Sequence, residues 1–240
     1  MMDRSPEMYD PGFVTQLFSD MSATYDRMNT ITSFGFSIWW RKQCAAQLQL
    51  RPGMRVLDLM SGKGEVWPYI LPSIGPEGSL IAVDFCADMT RFAQKRRDLF
   101  PNIQVEVLVE DALACSVPDN SVDALISTFG LKTFNEAQLE RLASETRRML
   151  KPGGVFSFIE VSTPQNPVLR RLYFFYLHRV IPRLGKLFLG NPETYRMLGI
   201  YTEAFGNCRG FATIAEQAGL EVRYMNYFGG CASGVSGKKL

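Results

Sequence analysis

Short apolar runs recur through the middle of the chain. Each ends in a polar or small residue and gives way to a stretch with helical spacing. Residues 56–60 (VLDLM), 80–84 (LIAVD), 105–111 (VEVLVED), 124–131 (ALISTFGL) and 155–161 (VFSFIEV) read as strands. Residues 65–71, 88–99 and 136–150 read as the helices between them, with a turn at 72–78. Strands alternating with helices imply a parallel sheet covered on both faces, with ligands at the carboxyl ends of its strands. Asp58, Asp84, Asp111 and Thr128 all fall on that edge.

Outside this core the pattern changes. Residues 13–28 form a helix with Phe13, Leu17, Met21 and Tyr25 at every fourth position, followed by an aromatic segment, NTITSFGFSIWWRKQ, broken at Gly35. That segment either packs on the domain or covers a ligand. Between Val161 and Pro192 there is no acid, and Arg170, Arg171, Arg179, Arg183 and Lys186 alternate with Leu172, Tyr173, Phe174, Phe175, Tyr176, Leu177 and Phe188. The run is either an ordinary helical insertion with a solvated basic face or an amphipathic lid that meets a membrane surface or an apolar substrate. A helix at 211–219 precedes a closing pair of strands that begins at 221–228, and the tail GGCASGVSGKKL is rich in glycine.

The strand-turn-helix around Asp58 carries the most specific chemistry. Ser61, Gly62, Lys63 and Gly64 follow the first strand at once, so backbone N–H groups can approach a ligand closely. Asp84 closes the next strand, where an acid suits the hydroxyls of an adenosine ribose. The GxGxxG spacing of dinucleotide enzymes is missing. So is the GKS or GKT ending of a P-loop, and Lys63 is therefore not a phosphate lysine. Most turns of this kind only join a strand to a helix.

Composition narrows the class. The 240 residues, 46% of them hydrophobic, suit one globular domain. A net charge of +2 argues against nucleic-acid binding. Five scattered cysteines without a CxxC point away from zinc or a disulfide framework and toward a reducing cytosol. The polar, acid-bearing start is not expected to be a signal peptide, and no stretch approaches the roughly 20 apolar residues of a membrane span.

The Asp-(x)3-Gly-x-Gly turn is similar to that of class I S-adenosylmethionine (SAM) methyltransferases. Longer stretches resemble the UbiE-type quinone methyltransferases: FSDMSATYDRMN, TSFGFSIWWRK, VLDLMSGKGE, VPDNSVDALISTFGLKTF, MLKPGGVFSFIEVSTP and YLHRVIPRLGKLFLGNPETYRML. The resemblance implies a Rossmann-like α/β fold with a seven-stranded, mostly parallel sheet, helices on both faces and a helical lid insertion. It implies one domain: an N-terminal helical lid at 1–45, a SAM-binding core at 46–160, the insertion at 161–210, and closing strands and tail at 211–240. By position it implies SAM contacts at Lys63, Asp84, Asp111, Ala112 and Thr128, and Asp58, Met60, Ser61, Gly62, Gly64 and Phe85 complete the expected cofactor-binding set. It further implies a polyprenyl quinone acceptor and a cytoplasmic protein held peripherally at the inner face of the membrane; a homodimer stays among the partners considered.

The departures from that family matter. Its Gly-Gly-Thr-Gly-Asp is here Ser61-Gly62-Lys63-Gly64-Glu65, and its Arg-Asn is Lys132-Thr133. Lys63 is expected to place a cation near the carboxylate or sulfonium end of SAM. The turn and the SFGLKTF-like word also resemble the rhodoquinone-forming RquA proteins, which implies an alternative: amino transfer from SAM with a divalent metal such as Mn²⁺. For that metal Glu65, Asp111, Glu160 and Asp58 are candidate oxygen ligands, though no spacing singles them out. Another alternative is a non-catalytic subunit of the same fold that binds a quinone or a partner. For methyl transfer, an ionised ring hydroxyl makes its ortho carbon nucleophilic, so only a weak base is needed. His178, the one histidine, is the obvious base, although a packing role suits a histidine in an apolar helix better. Tyr25, Asp26, Tyr195, Tyr201 and Lys132 are the other polar groups considered for the acceptor site.

Overall fold

The computed structural model describes residues 6–183 and 192–240. A seven-stranded sheet runs in the order β3-β2-β1-β4-β5-β7-β6. Its strands are β1 (Arg55–Leu59), β2 (Ser79–Val83), β3 (Gln104–Leu108), β4 (Val122–Thr128), β5 (Leu150–Val161), β6 (Leu220–Tyr227) and β7 (Ala232–Lys239). The first five pair in parallel, and β7 lies antiparallel between β5 and β6. The chain turns outward in both directions from β1 and β4. Their shared carboxyl edge is therefore where loops diverge and leave a crevice.

Both faces of the sheet are buried, as alternation along β1 requires. Leu57 and Leu59 join Val83, Leu125, Phe156 and Phe211 on one side. Val56 joins Leu80, Ile126, Ile159 and Trp67 on the other. The helices that cover them include α4 (Trp67–Ile74), α5 (Ala87–Arg97), α6 (Glu136–Met149) and α9 (Arg209–Gln217). Asn135 and Gln138 form a reciprocal cap at the start of α6. All five cysteines are buried and free.

Four local expectations need correction. The helix at 13–28 is two helices, α1 (Pro11–Met21) and α2 (Tyr25–Thr32). The Ser22 and Thr24 N–H groups bond to Ser19 and Met21 carbonyls three residues back, which tightens the chain and breaks the helix. The helix at 65–71 begins later and runs through Pro72 to Ile74, where a turn was expected, because Ile70, Leu71 and Ile74 are all fully buried. Residues 109–111 lie beyond β3, in the loop at the carboxyl edge. The tail is the inner strand β7, and its small residues fit a tight space. A side chain at Gly237 would place Cβ 1.8 Å from the Glu221 carbonyl oxygen, and one at Gly234 would meet that of Phe158 at 2.8 Å.

A third core lies over the carboxyl edge. Met21, Tyr25 and Met28 from the N-terminal helices pack with Leu177, Ile181 and Tyr201 from the insertion, whose helices are α7 (Pro167–Phe175) and α8 (Pro192–Phe205). The two outlying segments thus form one cap. Helix α3 (Phe36–Ala46) connects that cap to the sheet through Trp40, Cys44 and Ala45. No helix among the described residues is long and apolar enough to cross a membrane.

The turn after β1 gives a stability test. Gly64 has φ +77°, and a Cβ there would lie 2.6 Å from the Trp67 ring; Gly53, at φ +84°, has open space around it. Gly53→Ala should cost about 1–2 kcal/mol from backbone handedness alone. Gly64→Ala should cost a further ~1–3 kcal/mol from overpacking. Equal losses in urea denaturation would mean that Trp67 is not packed against the turn.

Candidate active site

Asp58 is buried at the end of β1, and its Oδ2 accepts the Trp67 indole N–H at 2.9 Å. Desolvation raises its pKa well above the usual carboxylate range. Asp58 thus anchors α4 behind the turn. Asp84, at the end of β2, faces the crevice. Its Oδ2 accepts the Gly62 N–H at 2.8 Å and its Oδ1 the Cys86 N–H at 2.9 Å, which hold the carboxylate in place. Burial pushes its pKa up to about 6 despite those two bonds.

The crevice holds two cavities. The first is lined by Met60, Gly62, Asp84, Phe85, Asp111, Ala112 and Thr128, with Met89 and Leu113 as further apolar wall. Tyr9, Pro11, Val14 and Phe18 from the N-terminal segment roof it, leaving about 70 Å³ of space. The donor set suits adenosine: a fixed carboxylate for a ribose diol, a second carboxylate at Asp111, and flat apolar sides for a base.

The second cavity, about 330 Å³, is mostly aromatic and aliphatic, with Phe36, Trp40, Val161, Leu169, Tyr173 and Leu177 among its walls. Lys132, Asn29, Ser33 and Thr202 add polar points. Tyr25 and Phe129 line both cavities and so form the wall between them. Burial, reinforced by the nearby Glu65 carboxylate, raises the pKa of the Tyr25 phenol, which stays a hydrogen-bond donor.

Sequence reasoning overlooked how Phe129 is held. It follows β4 with φ +68°, a strained conformation for a bulky residue. Its N–H donates to the Ile159 carbonyl at 2.8 Å, and its carbonyl accepts Lys132 Nζ at 2.7 Å. Lys132 Nζ also donates to Glu160 Oε1 at 2.9 Å, and Glu160 Oε2 accepts the Lys132 backbone N–H at 3.1 Å. Glu160 is completely buried and Lys132 nearly so. Beside them Arg41 lies 4.9 Å from the Phe129 ring centroid and pairs with Glu65 at 3.5 Å. Nothing in the residue spacing announces these long-range pairs.

Several predicted site residues lie elsewhere. Asp58, Ser61 and Gly64 do not line the first cavity; they build the turn behind it. Lys63 does not line it either. Positive φ at Gly62 and Gly64 turns its side chain toward α5, where Nζ sits 4.2 Å from the Phe92 ring centroid. The expected cation beside the sulfonium is therefore directed away from the donor cavity. His178 is outside both cavities, stacked on Phe174 and 3.6 Å from Glu203, which fits packing and not base catalysis. Tyr201 is fully buried outside the cavities, and its hydroxyl donates to the Met8 carbonyl. The side chains of Asp26 and Tyr195 lie outside the described residues.

The metal alternative does not fit this arrangement. Among the described residues no three His, Cys, Asp or Glu side chains converge on a common point. Glu65 is paired with Arg41, Glu160 with Lys132 and Asp58 with Trp67, while Asp111 accepts the Leu113 N–H.

Comparison with known proteins decides the family. The sequence profile of the ubiE/COQ5 methyltransferase family matches residues 3–239. The chain belongs to that family. It is 30% identical to the demethylmenaquinone methyltransferase of Desulfitobacterium hafniense, over 95% of this chain and 90% of that protein. It is 36% identical to the ubiquinone/menaquinone biosynthesis C-methyltransferase UbiE of Coxiella burnetii, over 77% of this chain and 74% of that protein. Among solved structures, a SAM-dependent methyltransferase from Aquifex aeolicus aligns with a TM-score of 0.58 at 22% identity, over 83% of this chain and 89% of that one. A SAM-dependent methyltransferase from Thermotoga maritima aligns with a TM-score of 0.62 at 18% identity, over 94% and 99%. At those identities the structures speak for the fold. With its family and its curated relatives, the chain is a SAM-dependent methyltransferase. The relatives are named for methyl transfer, and the amino-transfer alternative draws no support from them.

The state of Asp84 sets a pH test. A ribose diol donates to the carboxylate, so SAM binding should strengthen as pH rises through about 6. Stability runs the other way. A carboxyl whose folded pKa is raised favours folding below its unfolded value and loses that contribution as pH rises through the folded one. Calorimetry between pH 5 and pH 7 should show SAM affinity rising about tenfold in the parent and staying flat in Asp84→Asn. Parallel profiles would remove Asp84 from the donor site.

Proposed function

We propose that the protein transfers the methyl group of SAM to a ring carbon of a polyprenyl quinol at the membrane surface, with the first cavity as donor site and the second as acceptor site. The observation that carries this reading is the wall of Tyr25 and Phe129 shared by a cavity that holds two carboxylates, Asp84 and Asp111, and a larger one that holds the Lys132 ammonium. When bound, SAM supplies a sulfonium methyl for displacement by a nucleophile. The protein's own part is to align the two reactants and exclude water. Asp84 and Asp111 hold the donor side. Met60, Gly62, Phe85, Ala112 and Thr128 shape it. On the acceptor side the Lys132 ammonium, fixed by Glu160, stabilises negative charge on an ionised ring hydroxyl. That charge makes the ortho carbon nucleophilic. Tyr25 donates a hydrogen bond at the junction.

The mouth of the second cavity supports the membrane part. Helix α7 turns Leu169 and Tyr173 inward, Leu172 lies at the mouth, and Val168 and Phe175 point outward; these last three are all exposed. Phe34, 78% exposed, and Phe228, 56% exposed, share the rim with Leu172. Arg170 and Arg171 flank them on the same helix and are exposed. An apolar rim with basic neighbours suits an anionic lipid surface. It lets a lipid-soluble acceptor enter the cavity without crossing water.

One experiment tests both parts. Protein, SAM and anionic vesicles carrying a polyprenyl quinol that lacks the ring methyl are incubated, and the quinol is analysed by mass spectrometry. The expected product is heavier by one methylene. Phe34→Ser with Leu172→Ser should weaken co-sedimentation with the vesicles about tenfold, roughly 1.4 kcal/mol, and slow turnover equally. Amino-for-methoxy exchange, or no change in the quinol, would overturn the methyl-transfer reading. Unaltered co-sedimentation would remove this rim from the membrane.

A further inference from the structure

One polar group in the second cavity has no part in the chemistry above. Trp40 lines that cavity from α3 and is 5% exposed. Its ring packs edge-on against Phe129, with centroids 6.4 Å apart, and lies tilted against Phe36 at 5.7 Å. Its indole N–H is buried and has no hydrogen-bond partner among the described residues. Trp67 on the same side of the sheet is buried as deeply, yet gives its N–H to Asp58. Leaving a buried donor unmade is costly, and phenylalanine would fill much the same space without that cost. The cost makes sense where a ligand atom completes the bond.

The neighbours indicate which ligand atom that is. Trp40 and Lys132 both touch Phe129, Trp40 through its ring and Lys132 through the Phe129 carbonyl. Among the described residues they are the wall's one indole and one ammonium, beside the Asn29 amide, the hydroxyls of Thr32, Ser33, Ser37 and Thr202, and three tyrosines. They stand on separate elements, α3 and the turn after β4, at the end of the cavity nearest the donor site. A ring with oxygens on opposite carbons offers an acceptor to each donor, with its tail toward the apolar mouth.

We propose that the Trp40 indole N–H is a specificity-determining donor to one oxygen of the acceptor ring, with the Lys132 ammonium serving the other. This rests on the acceptor being a quinol. The indole reads an oxygen by its lone pair and needs no charge. Lys132 suits the oxygen that ionises. Acceptors with a single ring oxygen would then bind more weakly, because a desolvated donor would be left without a partner.

The test replaces the N–H and nothing else. Trp40 is exchanged for 3-benzothienylalanine, which keeps the ring shape and puts sulfur in place of N–H; Trp40→Phe serves as a second variant. Affinities are measured for SAM, for a methoxyhydroquinone with a decyl tail, and for the matching phenol that lacks one ring oxygen. The isostere should lose about tenfold in hydroquinone affinity, the size expected of one neutral hydrogen bond, with SAM affinity unchanged. Deleting the ring oxygen should cost the parent about tenfold and the isostere almost nothing, since both changes remove one bond. Penalties that simply add in the double change would mean that the N–H meets water or nothing, and would overturn the proposal. If the parent binds SAM but neither ring compound, the quinol reading itself has failed, and the Trp40 assignment falls with it.

Discussion

The buried pair of Lys132 and Glu160 holds the site together. Phe129 adopts a left-handed conformation that costs a bulky residue roughly 1–3 kcal/mol. Two hydrogen bonds fix it, and one comes from the ammonium that Glu160 holds. Removing one member of such a pair leaves a bare buried charge, at a cost of about 3–5 kcal/mol. The pair ties the end of β5 to the turn after β4 at the point where the sheet order diverges from β1 and β4. Phe129, so placed, stands between the cavity with the two carboxylates and the one with the Lys132 ammonium, and Gly130 behind it leaves no room for a Cβ beside Met60. That packing joins the turn after β4 to the end of β1.

Everything over this edge acts as cover. The N-terminal helices and the insertion are far apart in the sequence yet share a core that includes Tyr201, whose hydroxyl reaches the Met8 carbonyl. Ser19 donates to Asp88 on α5, and Gln138 on α6 donates to the Tyr9 carbonyl at 3.2 Å. Such a cap excludes water from a displacement that needs alignment more than covalent help. Tyr201 belongs to that cap through its bond to Met8, and His178 packs at its surface, stacked on Phe174 with the exposed Glu203 beside it.

The parallel core was legible because each apolar run ends at the same edge, and because Asp58 and Asp84 stand a strand apart around a glycine turn. Long-range pairing was not legible. Lys132 reads as a loop cation until β5 brings Glu160 to it, and Lys63 reads as a ligand cation until the glycines turn it toward Phe92. The strand β7 resembled a tail because a strand between two close neighbours keeps small residues, and hydropathy alone does not distinguish that from a linker. The break between α1 and α2 was hidden because Phe13, Leu17, Met21 and Tyr25 keep helical spacing across it. Trp40 looked like one more packing aromatic, since a missing hydrogen bond leaves no mark on a sequence.

The central claim is that the two cavities form one continuous site divided by Phe129 and Tyr25. A bisubstrate compound tests it most directly: an adenosine-methionine unit joined through its sulfur position to a short-tailed hydroquinone, with binding measured by calorimetry against each half alone. One site predicts affinity at least about 100-fold beyond that of the better half, from the effective concentration that a fitting linker confers, with both halves competing. Affinity no better than that of the adenosine half, with the hydroquinone still binding independently, would contradict it.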